Sequence, residues 1–208
     1  MLKIGIVGAG RMGNAHADNL SKLPEVKLSA VYDVNPEKSK AFLEKFPSAA
    51  VMKSADELVK SPEVELVVIT SPTYCHKESL LPALETGKPV FCEKPLCRTR
   101  KDLNELAPLI RNYRNLFAIG YVRRYSPSVI MMKKLIEEGK IGRPICGSVR
   151  CLFGAYRREW GDWFADYDKS GGVMLDMLAH HCDLQNYIAG KPVSVYARSE
   201  ERRVGKEC

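Results

Sequence analysis

The sequence predicts an α/β fold built on a doubly wound parallel sheet, followed by a smaller, incomplete α+β region. Short apolar runs of strand type alternate with amphipathic helical stretches over residues 1–121. A glycine-rich turn joins the first run to the first helix. Polar and charged segments follow directly after several of the runs, which places them at the carboxyl edge of the sheet, where such folds bind ligands.

The glycine turn has the spacing Gly8-x-Gly10-x-x-Gly13. The first glycine permits the tight turn, the second lets the backbone approach a pyrophosphate, and the third lets the helix pack on the strand. The phosphate would then lie at the helix N-terminus. We therefore predict that these glycines, with Arg11 and Met12 between them, bind a dinucleotide.

The second strand, predicted over 26–32, ends at Asp33, at the distance expected for a ribose-binding carboxylate. Asp33 could accept both ribose hydroxyls and would repel a 2′-phosphate, which favours NAD over NADP. Lys38 or Lys40 leaves NADP possible. The alternative is that Asp33 merely caps the helix that begins near Pro36.

The remaining elements of this region follow from periodicity, capping signals and breakers. Strands are predicted at 49–52, 65–70, 89–92 and 116–121, and helices at 36–46, 54–60, 75–85 and 99–111. The residues at the carboxyl ends of two of these strands are predicted cofactor contacts: Thr70, Ser71, Pro72, Glu93 and Lys94.

Beyond residue 121 we predict a helix over 126–138, a strand over 144–153 and an irregular aromatic stretch over 156–170. A helix over 171–190 is bracketed by glycines and contains no Lys, Arg or Glu, so we expect it to be largely buried. Its polar residues share one face, which we expect to line a cleft: Asp176, His180, Asp183 and Tyr187. A further run over 192–197 is strand-like.

Three side chains could carry chemistry. Lys94 follows a buried strand and could exchange a proton, although a solvated lysine paired to Glu93 is slightly favoured on spacing alone. Asp176 and His180 lie one helical turn apart and could form a carboxylate–imidazole pair, or simply a satisfied pair in a polar core. His181 is interpreted as packing, and a zinc site is not expected.

Composition excludes several classes of protein. The chain has 208 residues, seven cysteines and a formal net charge of +7, with basic residues spread along it and interrupted by acids. This distribution does not favour a nucleic-acid partner. No apolar run is long enough for a membrane span, and Met1 leads into a strand rather than a signal peptide. We therefore expect a cytoplasmic protein without membrane partner, disulfides or metal.

The motifs, taken together, resemble the Gfo/Idh/MocA family of oxidoreductases, which includes glucose-fructose oxidoreductase, inositol dehydrogenase and the rhizopine-catabolism oxidoreductases. Within it, the chain is most similar to inositol 2-dehydrogenases. The resemblance runs from residue 2 to about 197 and rests on five ordered segments: 8–16, 69–76, 92–96, 120–125 and 171–180.

The resemblance implies hydride transfer between a nicotinamide and a secondary hydroxyl of a cyclic polyol or sugar. By position, His180 matches the acid/base histidine, Lys94 the lysine that holds the oxygen, and Asp176 the residue that orients the ring. With Asp176 raising and Lys94 lowering its pKa, His180 is expected to titrate near neutrality. His76 is carried over as a cofactor contact. The candidate substrate contacts are Arg124, Tyr125 and Trp163, and the alternative for each is a surface or packing role.

Family members continue well past the end of this sequence, with strands that cover the site and form a dimer or tetramer interface. We expect an NAD(P)-binding domain at 1–121, a partial substrate and oligomerisation domain at 122–197, and a non-native tail at 198–208 that resembles a translated sequencing adapter. The alternative is a non-catalytic NAD(P)-binding fragment or sensor. A sensor would be expected to lose Lys94 or His180, and both are present.

Overall fold

The computed structural model of the chain describes residues 1–150, 163–164 and 166–198. A parallel six-stranded sheet forms its amino-terminal part, with the strand order β3-β2-β1-β4-β5-β6. The strands are β1 (Leu2–Val7), β2 (Val26–Tyr32), β3 (Ala50–Val51), β4 (Leu66–Ile69), β5 (Val90–Cys92) and β6 (Phe117–Ile119). All six predicted strands of this region are therefore present.

Helices connect successive strands, and their starts match local capping chemistry. The side chains of Asn35, Ser54 and Thr99 each accept a hydrogen bond from a backbone N–H in the first turn of the following helix. The helices of this part are α1 (Arg11–Leu20), α2 (Pro36–Lys45), α3 (Ala55–Lys60), α4 (His76–Glu85) and α5 (Arg100–Arg111).

The sheet is buried on both faces. Ile4 and Ile6 of β1 belong to a cluster with Phe42 of α2, whereas Val7 belongs to a second cluster with Leu80 of α4. Alternate residues of one strand point to opposite faces, so β1 contributes to both layers. This double burial explains the continuous apolar runs in the sequence.

The order of the strands determines where the ligand crevice lies. β1 pairs with both β2 and β4, so the chain builds the sheet outward in two directions from this strand. The carboxyl ends of all six parallel strands meet at one edge, and a crevice opens there where the order reverses. The predicted cofactor and catalytic segments of this part all follow strands at that edge.

The second part of the chain is mostly helical where it is described. After a short 3₁₀ turn (Val122–Tyr125), the helices are α6 (Pro127–Glu137), α7 (Tyr167–Ser170), α8 (Gly172–Asp176) and α9 (Leu178–Ala189).

The single helix predicted over 171–190 differs from the structure in three respects. It is divided into α8 and α9 at Met177, where the carbonyl oxygen of Asp176 accepts a hydrogen bond from Lys94 Nζ at 2.8 Å. It is also not largely buried: Met174 is 60% exposed, and Cys182 lies at the surface. Of the polar face expected to line a cleft, Asp176 and His180 border a cavity, whereas Asp183 and Tyr187 do not.

The strand predicted over 144–153 is absent from 144–150, and its last three residues lie outside the described part. The strand-like run at 192–197 is also irregular, and Val193 and Tyr196 are almost fully exposed. A strand needs a neighbour to satisfy its backbone groups, and among the described residues neither segment has one. Residues 156–162, 165 and 199–208 lie outside the described part, so the expectations made for them stay predictions. The irregular stretch predicted over 156–170 is wrong at its end, where Tyr167–Ser170 forms α7.

Within the described ranges, no helix is long and apolar enough to cross a lipid bilayer.

Candidate functional site

The glycine turn after β1 is built as its spacing predicts. Gly8 has φ +103°, and a Cβ there would lie 2.6 Å from the backbone nitrogen of Ser71. A Cβ on Gly13 would overlap the carbonyl oxygen of Gly8, because α1 packs directly on the turn. A Cβ on Gly10 would meet nothing within 4 Å. The first and third glycines are thus required by the protein itself, and the second faces open space.

The N-terminus of α1 faces the same space. Gly10 is its N-cap residue and supplies no side-chain cap. The Asn14 side chain turns back and donates to the carbonyls of Ala9 and Gly10, at 2.8 and 3.0 Å. This arrangement fixes the turn while the first N–H groups of the helix stay oriented towards an anion.

Asp33 is held at the end of β2 by two backbone donors. Its Oδ2 accepts from Ala9 N and its Oδ1 from Asn35 N, both at 2.9 Å. The alternative that Asp33 merely caps α2 is wrong, because Asn35 is the cap and accepts from Glu37 N at 3.0 Å. Each carboxylate oxygen has a second lone pair, so Asp33 can still accept from a ligand.

A cavity of about 830 Å³ lies over this turn. Ser71 Oγ borders it and is buried without a hydrogen-bond partner among the described residues. Lys38 also lines it, whereas Lys40 does not. The predicted cofactor residues that line it are Gly8, Gly10, Arg11, Met12, Asp33, Thr70, Ser71 and Pro72. A helix N-terminus, a carboxylate and an unsatisfied hydroxyl around one space fit a dinucleotide.

Four other predicted cofactor residues lie elsewhere. Gly13 is enclosed beneath the turn, and His76, Glu93 and Lys94 line a second cavity of about 320 Å³. The two cavities share walls formed by Arg11, Met12, Thr70, Ser71, Trp163 and Phe164. A ligand extended across both would therefore pass between the glycine turn and the catalytic candidates.

His76 connects two loops at the rim of the second cavity. Its Nδ1 lies 2.9 Å from the carbonyl oxygen of Pro95, and its Nε2 lies 2.9 Å from that of Ser71. Burial lowers the pKa of His76 from its ordinary value, although both carbonyl contacts oppose that effect. The ring thus joins the loops after β4 and β5, and it is 1% exposed.

Lys94, Asp176 and His180 all line the second cavity. Lys94 Nζ donates to Asp176 Oδ1 at 2.8 Å as well as to the carbonyl oxygen of that residue. The lysine is not a solvated partner of Glu93, so the interpretation slightly favoured from spacing is wrong. The predicted Asp176–His180 pair is also not formed, because Lys94 occupies the carboxylate and the helix is interrupted between the two residues.

Burial has the largest effect on the pKa of His180. Removal from water lowers the pKa of the imidazole from its ordinary value, and the charges of Lys94 and Arg123 lower it further. Glu93 and Asp176 act in the opposite direction with smaller effect. His180 Nδ1 is buried and has no hydrogen-bond partner among the described residues. The structure therefore favours a neutral ring, the form that can accept a proton.

Glu93 is paired with His16, a partner that was not predicted from the sequence. Its Oε1 lies 2.7 Å from Nε2 of His16 on α1, and its Oε2 accepts from Lys94 N at 3.1 Å. Gly120 makes room for this group, since a Cβ there would lie 2.9 Å from Oε2. His16 belongs to the sequence segment 8–16, but its distance of 77 residues from Glu93 along the chain gives no indication that the two side chains meet.

The predicted substrate contacts separate into two groups. Trp163 lines both cavities, and its ring meets Tyr74 edge to face with centroids 6.2 Å apart. Arg124 lines neither cavity because Asp183 holds its guanidinium, and Tyr125 is 76% exposed away from them. The arginine that borders the second cavity is Arg123 instead.

Comparison with known proteins places this geometry in a family. Residues 2–121 match the GFO_IDH_MocA family model, described as an oxidoreductase family with an NAD-binding Rossmann fold. Residues 129–207 match a GFO/IDH/MocA C-terminal domain. That match includes most of the tail interpreted above as non-native, an interpretation that stays a prediction.

Individual relatives agree with these matches. The chain is 31% identical over 193 residues to a myo-inositol 2-dehydrogenase of Thermotoga maritima, covering 92% of this chain and 56% of that protein. It is 30% identical to an inositol 2-dehydrogenase/D-chiro-inositol 3-dehydrogenase of Lactiplantibacillus plantarum, covering 97% and 57%.

A solved structure extends the comparison. The myo-inositol dehydrogenase of Lactobacillus casei in complex with NAD(H) and myo-inositol superposes with a TM-score of 0.75 and 25% identity, over 91% of this chain and 54% of that one. The chain thus spans about half the length of the relatives it matches. With the glycine turn, the parallel sheet and the family-model match over residues 2–121 all in agreement, the chain belongs to the Gfo/Idh/MocA oxidoreductase family.

Proposed function

We propose that the chain carries the cofactor site and the catalytic groups of an NAD-dependent dehydrogenase that acts on a secondary hydroxyl of a cyclic polyol or sugar. The observation that carries the proposal is the cavity lined by Lys94, Asp176 and His180, which shares a wall with the cavity over the glycine turn. Relatives named as inositol 2-dehydrogenases support an inositol as the reference substrate.

The residues around the first cavity suit NAD. The N-terminus of α1 would hold the pyrophosphate, Asp33 the adenosine ribose, and Ser71 Oγ a polar group of the cofactor. Asp33 favours NAD by repelling a 2′-phosphate, whereas Lys38 on the same cavity could attract one. The bound nicotinamide would supply the hydride acceptor.

The residues around the second cavity would bind the substrate hydroxyl and accept its proton. His180 would take the hydroxyl proton as the carbon loses its hydride, which leaves a carbonyl and an imidazolium. The Lys94 ammonium would donate a hydrogen bond to the substrate oxygen and stabilise negative charge there. Asp176 would act through Lys94, since its carboxylate accepts from Nζ at 2.8 Å. This assignment differs from the orienting role towards His180 expected from the resemblance.

Calorimetry with NAD and NADP on the full 208-residue chain tests the cofactor part, and reduced-nicotinamide absorbance with myo-inositol tests the reaction. We expect tighter binding of NAD than of NADP. Lys94→Met should abolish any turnover, because it removes the ammonium proposed to hold the substrate oxygen; its folding is checked first, since Asp176 loses its buried partner. A folded chain that binds neither nucleotide would contradict the proposal.

A second candidate is a fragment that binds NAD without turnover. The observation favouring it is that the chain spans 56% of the Thermotoga relative. NAD binding with no absorbance change on any cyclic polyol would support this candidate. We further propose the domain division 1–121, 122–197 and 198–208, a homo-oligomeric parent protein and a cytoplasmic location.

A further inference from the structure

Arg124 and Asp183 form a two-pronged ion pair between the 3₁₀ turn after β6 and helix α9. Arg124 Nε donates to Asp183 Oδ2 at 2.8 Å, and Nη2 donates to Oδ1. The Asp183 side chain is 7% exposed, so its charge depends on this partner. A bidentate arginine–carboxylate pair fixes orientation as well as distance, which a lysine cannot do.

The guanidinium also packs on two aromatic rings. Its Cζ lies 5.6 Å from the centroid of Tyr121 and 5.0 Å from that of Tyr187. Tyr121 directly precedes the 3₁₀ turn, and Tyr187 lies one turn beyond Asp183 on α9. Arg124 therefore holds α9 against the end of the parallel sheet through both charge and stacking.

This contact reaches His180 by two routes. Asp183 is three residues after His180 on the same helix, so fixing one constrains the backbone of the other. The ring of Tyr121, on which Arg124 packs, meets the His180 ring edge to face with centroids 6.4 Å apart. His180 Nδ1 has no hydrogen-bond partner within the described ranges. Packing, rather than a hydrogen bond at Nδ1, sets the position of this imidazole.

We propose that Arg124 is a positioning residue that sets the burial and orientation of His180 through Asp183 and Tyr121, a role that rests on the proposed function of His180 as the base. Arg124 touches neither cavity, so it acts through its two partners and not on the substrate. The charged groups with the largest effects on the pKa of His180 are Lys94, Arg123, Glu93 and Asp176. The contacts of Arg124 with Asp183 and with the Tyr121 ring that meets His180 give it a route to the imidazole through packing.

The test is the imidazole titration of His180, followed by NMR in the full chain, which contains only four histidines. The resonance is assigned with His180→Asn. Burial is the largest cause that lowers the pKa of His180, so loosening the contact should raise it. We expect the titration midpoint to rise by about half a pH unit in Arg124→Ala, which is about a threefold change in proton affinity. Arg124→Lys should resemble Arg124→Ala, because lysine keeps the charge but loses the fork.

Arg111→Ala is the matched control, since Arg111 is an exposed arginine at the end of α5, and it should leave the midpoint unchanged. If Arg124→Ala does not fold, Asp183→Asn removes the charge of the partner with little change of shape and should raise the midpoint in the same direction. An unchanged His180 midpoint in a folded Arg124 or Asp183 variant would overturn the proposal. NAD affinity is measured in parallel and should be unchanged. If the wild-type chain did not bind NAD, the proposed function would be contradicted. The effect of Arg124 on the His180 titration would still stand.

Discussion

The ammonium of Lys94 lies 2.8 Å from the carboxylate of Asp176, although 82 residues separate them along the chain. Both side chains are largely buried, with 15% and 7% exposed. The same ammonium donates to the carbonyl oxygen of Asp176 where α8 ends. This pair therefore ties the loop after β5 to the helices that carry His180.

Removing one partner of the Lys94–Asp176 pair should destabilise the chain, because the other charge stays buried. We expect Asp176→Ala to lower the free energy of unfolding by about 3 kcal/mol. The double variant Lys94→Ala/Asp176→Ala should lose less than the sum of the single losses. Urea unfolding of all three variants measures this coupling.

The exposed pair Lys60–Asp56 on α3 is the control, since both side chains are 56% exposed. Its removal by Asp56→Ala should leave the urea midpoint nearly unchanged. Equal losses from Asp176→Ala and Asp56→Ala would show that burial does not strengthen the Lys94 pair.

Two glycines of the turn after β1 should affect different properties, Gly13 the stability of the fold and Gly10 the affinity for NAD. Gly13→Ala should destabilise the fold strongly, because its Cβ would overlap the carbonyl oxygen of Gly8. Gly10→Ala should fold normally, since the new Cβ meets no atom within 4 Å, yet it would occupy the space proposed for the pyrophosphate. We expect NAD affinity to fall about tenfold or more in Gly10→Ala, roughly 1.4 kcal/mol. Thermal unfolding and calorimetry check the two effects, and unchanged NAD affinity in Gly10→Ala would place the pyrophosphate elsewhere.

His180 should contribute to the loss of stability in mild acid. Its pKa is lowered in the folded state, so the unfolded state binds a proton first as the pH falls. The contribution to stability is full above the unfolded value of about 6.5 and is lost as the pH falls towards the lowered folded value. His180→Asn should therefore flatten the plot of unfolding free energy against pH between about 5 and 7. A steeper plot for the variant would mean that the folded protein favours the imidazolium.

The parallel sheet could be predicted from the sequence because its signals are local. Burial on both faces makes β4 a continuous apolar run, and the turn at Gly8 needs a residue that tolerates positive φ. Asp33 lies at a fixed distance from that turn, so its place beside the glycines also followed from spacing.

The partners within the site could not be predicted in the same way. Lys94 meets Asp176 only after the chain has folded, and the choice between Glu93 and Asp176 as its partner depends on three-dimensional packing. Arg123 and Arg124 are adjacent in sequence, yet only the first borders a cavity, because a 3₁₀ turn points them in different directions. Sequence periodicity does not resolve that difference.

The role of Gly120 in making room for the Glu93–His16 contact can be tested directly. A Cβ there would lie 2.9 Å from Glu93 Oε2, so Gly120→Ala should displace the carboxylate from His16. His16→Ala removes the same hydrogen bond from the other side and leaves a buried carboxylate short of a donor, at a cost of about 2 kcal/mol. The losses of unfolding free energy in the two single variants should therefore not add up in the double variant.

Gly147→Ala is the control, because its Cβ would meet nothing within 4 Å. Additive losses would show that Gly120 acts independently of the Glu93–His16 contact.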